Sequence, residues 1–184
     1  MSVKIEHERK FWSLVSKNCI EDLWDDLQEY FPFEQGKVDA EWKSHDVIYF
    51  DTKYSIYSEY DFARLKVNPD NVAVCLKKTV DTQENREELE FKVPLIAKDI
   101  LFQSFSLLFG PPQSSSLQTY RRWKSEIAEI ALYHNSKVEG MLIEVEANTP
   151  ELVDSICEQL KIIFVRWDFK VCNKSMFQLL TKYS

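Results

Sequence analysis

The sequence is short of residues that break or cross-link a chain, and each shortage excludes a class of protein. Three of the 184 residues are glycine and 45% are hydrophobic, which excludes an intrinsically disordered chain. Because the four cysteines lack the spacing of a metal site and no signal peptide is recognised, we expect reduced core thiols. No apolar run is long enough to span a bilayer. We therefore predict one globular domain over residues 1–184, located in the cytoplasm without a membrane partner.

Positive charge is also scarce. The chain has 23 lysines and arginines against 30 aspartates and glutamates, and its formal net charge is −7. Since nucleic acids and anionic membranes attract basic proteins, we expect neither as a general partner. A small polyanion could still bind wherever the bases gather locally.

Paired acids at alternate positions occur near both ends of the chain. Residues 3–11 form a predicted strand in which Glu6, Glu8 and Lys10 share one face. Glu144 and Glu146 repeat the pattern, with apolar residues on the opposite face of their strand. A solvated edge strand would explain one copy. Two copies favour a scaffold that brings these strands together.

Other segments show the same alternation of charged and apolar residues. Strands are predicted at 46–52, 61–67, 72–79, 86–91, 120–124 and 127–133. Helices are predicted to begin after Ser16, Pro94 and Thr149, with a short one at 175–182. The stretch 110–116, rich in proline and serine, is interpreted as a break between two halves. Because apolar helices need an apolar sheet surface, we favour a closed barrel with a polar lumen over a half-buried sheet with a solvated face.

Charge indicates what such a lumen would bind. Facing carboxylates require protonation or a hard cation, and oxygen-only clusters suit Mg²⁺ or Mn²⁺ rather than zinc. A metal-bound polyphosphate would also satisfy the bases that we expect on the same faces. These bases are Lys10, Arg64, Lys66, Lys77, Arg86 and Arg122.

The motifs together resemble those of the CYTH domain, the triphosphate tunnel metalloenzyme superfamily. Residues 6–10 resemble its opening E-x-E-x-K signature, and residues 143–146 its closing E-I-E. Tyr49-Phe50-Asp51-Thr52 resembles Y-F-D-T, and the runs 64–66, 74–77, 86–90, 121–122 and 174–180 resemble its remaining motifs. The resemblance extends over the whole chain.

This resemblance implies an α+β fold, an eight-stranded antiparallel tunnel with helices outside, which binds a triphosphate and Mg²⁺ or Mn²⁺. It implies metal ligands at Glu6, Glu8, Glu144 and Glu146. It implies phosphate contacts from Lys10, Arg64, Lys66, Lys77, Arg86, Arg121 and Arg122. Lys10 would also polarise the scissile group, and Glu88 and Glu90 would organise metal or water.

The chain departs from the family pattern at several positions. His134 stands where an aspartate is common, Tyr120 replaces the lysine of a K-x-R strand, and Met176 replaces a tyrosine. His134 could equally be a core or surface residue or a ligand. If a metal or water partner is missing there, catalysis is in question.

Three functions follow from the resemblance. We expect hydrolysis of inorganic tripolyphosphate or a small organic triphosphate, such as thiamine triphosphate or a nucleotide. The alternatives are an adenylyl cyclase, which makes cyclic AMP and pyrophosphate, and a non-catalytic binder of triphosphates or nucleotides. Any organic group on the substrate stays open, as does the choice between monomer and homodimer. Aromatics that could stack on such a group, or simply pack, are Trp42, Tyr54, Tyr57 and Tyr60.

Overall fold

The computed structural model describes residues 3–31, 36–80 and 85–181, with side chains described from residue 7 to residue 180 within these ranges. The strands are β1 (Val3–Ser13), β2 (Lys37–Val38), β3 (Lys43–Phe50), β4 (Phe62–Val67), β5 (Asn71–Thr79), β6 (Asn85–Pro94), β7 (Ser114–Lys124), β8 (Ala128–Asn135), β9 (Val138–Ala147) and β10 (Lys170–Val171). The α-helices are α1 (Ile20–Tyr30), α2 (Lys98–Phe109), α3 (Pro150–Gln159), α4 (Lys161–Arg166) and α5 (Met176–Thr181). Two short 3₁₀ helices, Lys17–Cys19 and Leu95–Ala97, precede α1 and α2.

Eight strands form a closed antiparallel barrel. Their order is β1-β6-β5-β4-β3-β7-β8-β9, and β9 pairs back with β1. The two short strands lie beside this ring, β2 on β7 and β10 on β1. The predicted α+β fold class, an eight-stranded barrel with helices, is therefore confirmed. Every described helix is too short or too polar to cross a lipid bilayer.

The described residues divide into two compact units. The first unit comprises residues 3–5, 44–118 and 174–181, and the second comprises 6–43 and 119–173. β1 and β7 each contribute residues to both units.

In the first unit, α2 covers the apolar face of β3 to β6. Alternation places Phe50, Leu65 and Val74 on that face, where they are almost fully buried. Phe105 of α2 meets Phe50 with ring centroids 5.4 Å apart. The same alternation sends Arg64, Lys77 and Glu88 to the opposite face.

The second unit has its own core beneath α1, α3 and α4. Trp24, Ile130 and Ile143 are fully buried there. The ring of Phe11 stacks on that of Phe164, with the ring centroids 3.9 Å apart. Thr149 caps α3 as predicted, because its hydroxyl accepts a hydrogen bond from the Leu152 amide at 3.3 Å.

The predicted break at 110–116 begins where expected but is shorter than predicted. Gly110 does end α2, and its φ of +83° is a backbone conformation that favours glycine. β7 nevertheless begins at Ser114 rather than near Tyr120, and both Ser114 and Ser116 are buried in it. Small polar side chains suggested a linker, but pairing with neighbouring strands makes them part of the barrel. The prediction of one domain over 1–184 stays a prediction.

Candidate functional site

The two strands with paired acids lie side by side in the second unit. β1 and β9 pair so that Glu8 is opposite Glu146 and Lys10 is opposite Glu144. Because both strands alternate, all four side chains emerge on one face, opposite the face packed against the helices. The prediction that the fold brings these two strands together is confirmed. We call Glu8, Lys10, Glu144 and Glu146 the acid cluster.

Lys10 is the internal counterion of this cluster. Its Nζ lies 2.5 Å from Glu8 Oε1 and 3.0 Å from Glu144 Oε1. Oxygen atoms of Glu8, Glu144 and Glu146 lie within 4.8 Å of one another, and Glu8 is 1% exposed. Lys10 contacts two of the three carboxylates, so negative charge exceeds positive charge within these four residues.

The residues of the acid cluster fit a hard divalent cation. All three candidate ligands are carboxylate oxygens, which Mg²⁺ and Mn²⁺ prefer. Glu6 belongs to β1, but its side chain lies outside the described residues. Its role as a ligand therefore stays a prediction.

Acids and bases also meet on the neighbouring strands of the second unit. Arg122 on β7 places Nη1 3.3 Å from Glu129 Oε1 and Nε 3.3 Å from Asp39 Oδ2. Burial disfavours the charged guanidinium, but Glu129 and Asp39 outweigh it and raise the pKa of Arg122. Glu129 stands directly opposite Glu146 in the register of β8 and β9.

Sequence reasoning missed Glu129 and Asp39. Glu129 is the one charged residue in the apolar run 128–132, and that isolation was an available signal. Asp39 follows the short strand β2, and nothing in the local pattern sets it apart.

Bases dominate the polar face of the first unit. Arg64 on β4 is opposite Cys75 on β5, and Cys75 is opposite Glu90 on β6. Two residues after Cys75 on β5, Lys77 is opposite Glu88. Arg86 lies on the same face of β6 by alternation. We call this group the base cluster: Arg64, Lys66, Cys75, Lys77, Arg86, Glu88 and Glu90.

Glu88 is held at both carboxylate oxygens. Its Oε1 accepts a hydrogen bond from the Cys75 thiol at 2.8 Å and lies 3.5 Å from Arg64 Nη2. Its Oε2 lies 3.1 Å from Lys77 Nζ. At the edge of the cluster, Lys66 Nζ lies 3.7 Å from Glu90 Oε2. Lys77 and Arg86 are 4% and 3% exposed, so positive charge is buried here.

Cys75 stays a thiol in this setting. Burial raises the pKa of Cys75 from 9.0 to about 12, which outweighs the neighbouring arginine and lysines. Although Cys75, Glu88 and Glu90 have side chains of metal-binding types, the protonated thiol and surrounding bases disfavour a cation. All four cysteines are free, as predicted, but the expected core position is wrong for Cys19, Cys157 and Cys172, which are only partly buried.

Solved structures with the same fold are known. The PH1012 protein of Pyrococcus horikoshii matches with a TM-score of 0.65 and 21% identity, over 95% of this chain and 99% of that chain. The PH1819 protein of the same organism matches with a TM-score of 0.68 and 18% identity, over 97% of this chain and 99% of that chain. A Bacillus halodurans protein named a putative adenylate cyclase matches with a TM-score of 0.68 and 18% identity, over 97% of this chain and 98% of that chain. No family model and no curated protein matches the sequence.

The chain therefore shares the fold of these solved structures. At these identities the comparison shows the fold alone. The fold that the CYTH-like motifs implied is thereby confirmed, while the site roles that they implied stay predictions.

Two residues singled out in the sequence, Arg121 and His134, belong to neither the acid cluster nor the base cluster. Arg121 points to the opposite side of β7 from Arg122, where its Nε donates to the Asp39 carbonyl at 2.9 Å. Its guanidinium also lies 5.0 Å from the centre of the Trp24 ring. Strand alternation explains this placement, because adjacent residues cannot face the same way.

His134 lies at an irregular point of β8, between Tyr133 and Asn135, where the pairing with β9 shifts. Burial, and then the charge of Lys17, lower the pKa of His134. Among the described residues it belongs to neither group that could hold a metal.

Proposed function

We propose that this protein hydrolyses a triphosphate, inorganic or small and organic, with a divalent metal ion. The observation that carries the proposal is the pair of buried clusters with opposite charge balance. One has three carboxylates and a single lysine, and the other buries several bases around a few carboxylates. Carboxylates bind a divalent metal ion, and bases bind phosphate oxygens.

The acid cluster would hold the metal. Glu8, Glu144 and Glu146 provide the ligands, joined by Glu6 as the motif resemblance implies. Bound there, Mg²⁺ or Mn²⁺ would supply charge neutralisation and polarisation of phosphoryl oxygens.

The bases would bind the phosphate oxygens. Arg64, Lys66 and Lys77 rest against Glu88 and Glu90, so a phosphate oxygen would replace a carboxylate partner that each base already has. Burial strengthens such charge-assisted contacts because water competes less. Arg86 and Arg122 would extend the same role, and Lys10 would stabilise charge at the scissile group. Glu88 and Glu90 would position these bases and orient water.

The products distinguish this function from its alternatives. The protein is incubated with Mg²⁺ or Mn²⁺ and, separately, with tripolyphosphate, thiamine triphosphate and ATP, and the products are separated. Hydrolysis at the terminal phosphorus gives orthophosphate and the corresponding diphosphate. We expect orthophosphate from at least one of the three compounds.

The name of the Bacillus halodurans neighbour makes adenylyl cyclase the second candidate. That activity would give cyclic AMP and pyrophosphate from ATP, and this result would contradict the hydrolase. Thermal stabilisation by a triphosphate without any product would identify a binding protein instead.

A further inference from the structure

Two tyrosines lie together on the polar face of the second unit. Tyr120 of β7 and Tyr133 of β8 have ring centroids 6.1 Å apart with an angle of 41° between the rings. Both side chains are only partly buried. The guanidinium of Arg122 lies 5.8 Å from the centre of the Tyr120 ring.

This tyrosine pair lies next to the acid cluster. Ala131 of β8 is opposite Glu144, and Tyr133 lies two residues further along the same face, opposite Leu142. Two residues of a strand span about 7 Å. Tyr120 likewise lies two residues from Arg122, whose Nη1 contacts Glu129. The rings are therefore one step along the strands from groups that we assign to metal and phosphate.

These two rings lie outside the hydrophobic cores. Among the described residues, neither hydrophobic core cluster includes Tyr120 or Tyr133. Three of the aromatics that the sequence suggested as stacking candidates do pack against a core: Trp42 in the second unit, and Tyr57 and Tyr60 in the first.

The identity of Tyr120 points the same way. A tyrosine beside Arg122 adds no charge and provides a flat apolar surface next to a base. Such a surface suits a substrate with an uncharged planar part beside its phosphates.

We propose that Tyr120 and Tyr133 bind the planar ring of an organic triphosphate. The substrate class would be a triphosphate ester carrying an aromatic heterocycle, as in a nucleoside triphosphate or thiamine triphosphate, rather than inorganic tripolyphosphate. The inference rests on the proposed function and sharpens it. A stacked ring adds binding that tripolyphosphate, which has no ring, cannot obtain.

Substitutions at the two tyrosines test this assignment. Wild-type protein, Tyr120→Ala, Tyr133→Ala and Tyr120→Phe are compared with Mn²⁺ and each of ATP, thiamine triphosphate and tripolyphosphate. KM, kcat and the shift in melting temperature on adding each compound are measured. Tyr30→Ala is the matched control, because Tyr30 ends α1 in the same unit and is 37% exposed. Circular dichroism spectra establish that each variant is folded.

We expect wild-type protein to favour a ring-bearing triphosphate over tripolyphosphate. Each alanine variant should weaken binding of that compound about tenfold, as a raised KM and a smaller melting shift, while Tyr120→Phe and Tyr30→Ala resemble wild type. A preference for tripolyphosphate, or equal losses for all three compounds, would overturn the ring site and leave the triphosphatase intact. Wild-type protein that neither binds nor cleaves any of them would overturn both proposals.

Discussion

The acid cluster and the base cluster are built in the same way and differ in the sign of their excess charge. Each places charged side chains at alternate positions of neighbouring antiparallel strands, with a helix-covered apolar face behind them. In the acid cluster one lysine serves three carboxylates, whereas in the base cluster bases outnumber carboxylates. Strand geometry thus positions the groups, and the balance of charges indicates whether a cation or an anion would bind there.

Lys10 is expected to show the largest effect, because its ammonium contacts two carboxylates of the acid cluster. Lys10→Met should lower kcat about 30- to 1000-fold, corresponding to about 2–4 kcal/mol of lost transition-state stabilisation. Mn²⁺ binding should persist or tighten, since the carboxylates lose their competing ammonium. Turnover and calorimetric Mn²⁺ titration measure the two effects.

Lys137→Ala is the control for this substitution, since Lys137 is exposed in the turn between β8 and β9. Equal turnover in Lys10→Met and Lys137→Ala would show that Lys10 has no part in the chemistry.

Lys77→Met tests whether the base cluster binds phosphate without contributing to metal binding. Lys77 is 4% exposed, and a charge-assisted contact to phosphate is worth about 1.5–3 kcal/mol. We therefore expect KM for the triphosphate to rise about 10- to 100-fold while Mn²⁺ affinity is unchanged. If metal affinity fell with it, the two clusters would not have the separate roles that their charges indicate.

Glu146→Gln sharpens the contrast from the acidic side. Removing one of three clustered carboxylates should weaken Mn²⁺ binding about tenfold or more. It should also raise the melting temperature of the metal-free protein, because like charges in one desolvated group repel. Calorimetry and thermal denaturation measure both changes, and Glu144→Gln should behave alike. Unchanged Mn²⁺ titrations in both variants would reject the metal assignment.

The smallest effect concerns Cys75, which links the bases to Glu88. With its pKa raised to about 12, the thiol should resist iodoacetamide near pH 8, when Cys19, Cys157 and Cys172 react first. Its contribution to stability is fully present below pH 9 and is lost as the pH rises from 9 towards 12.

Cys75→Ser keeps a hydrogen-bond donor to Glu88 but does not titrate in this range. Its denaturation midpoint should therefore fall less than that of wild type between about pH 8 and pH 11. Rapid alkylation of Cys75 in the native protein would contradict its assigned burial and pKa.

The alternation of side chains made much of this architecture predictable. A period of two assigned Glu8 and Lys10 to one face and predicted a charged side for β1, β4, β5, β6 and β9, which the structure bears out. Local pattern could not predict which strands are neighbours. The pairing of Lys10 with Glu144 joins residues more than 130 positions apart, and only the closed barrel determines that register.

Two expectations from the sequence depend on strand geometry that a local pattern does not show. Arg121 and Arg122 are both predicted to contact phosphate, although adjacent strand residues face opposite ways, and Arg121 packs on Trp24. His134 is interpreted as the position of a missing acid, but β8 and β9 pair irregularly there, and the acid of β8 that stands opposite Glu146 is Glu129. Helix α4 was also missed, because it follows α3 almost without a break.

The contacts of Lys10 have a thermodynamic consequence. An ammonium that rests between Glu8 and Glu144 competes with any cation for the same oxygens. A phosphate group that draws Lys10 away would free those oxygens and increase the affinity for metal. By linkage, bound metal would increase the affinity for phosphate by the same factor. The resting site would then hold metal weakly on its own and tightly with its substrate, so the two would bind cooperatively.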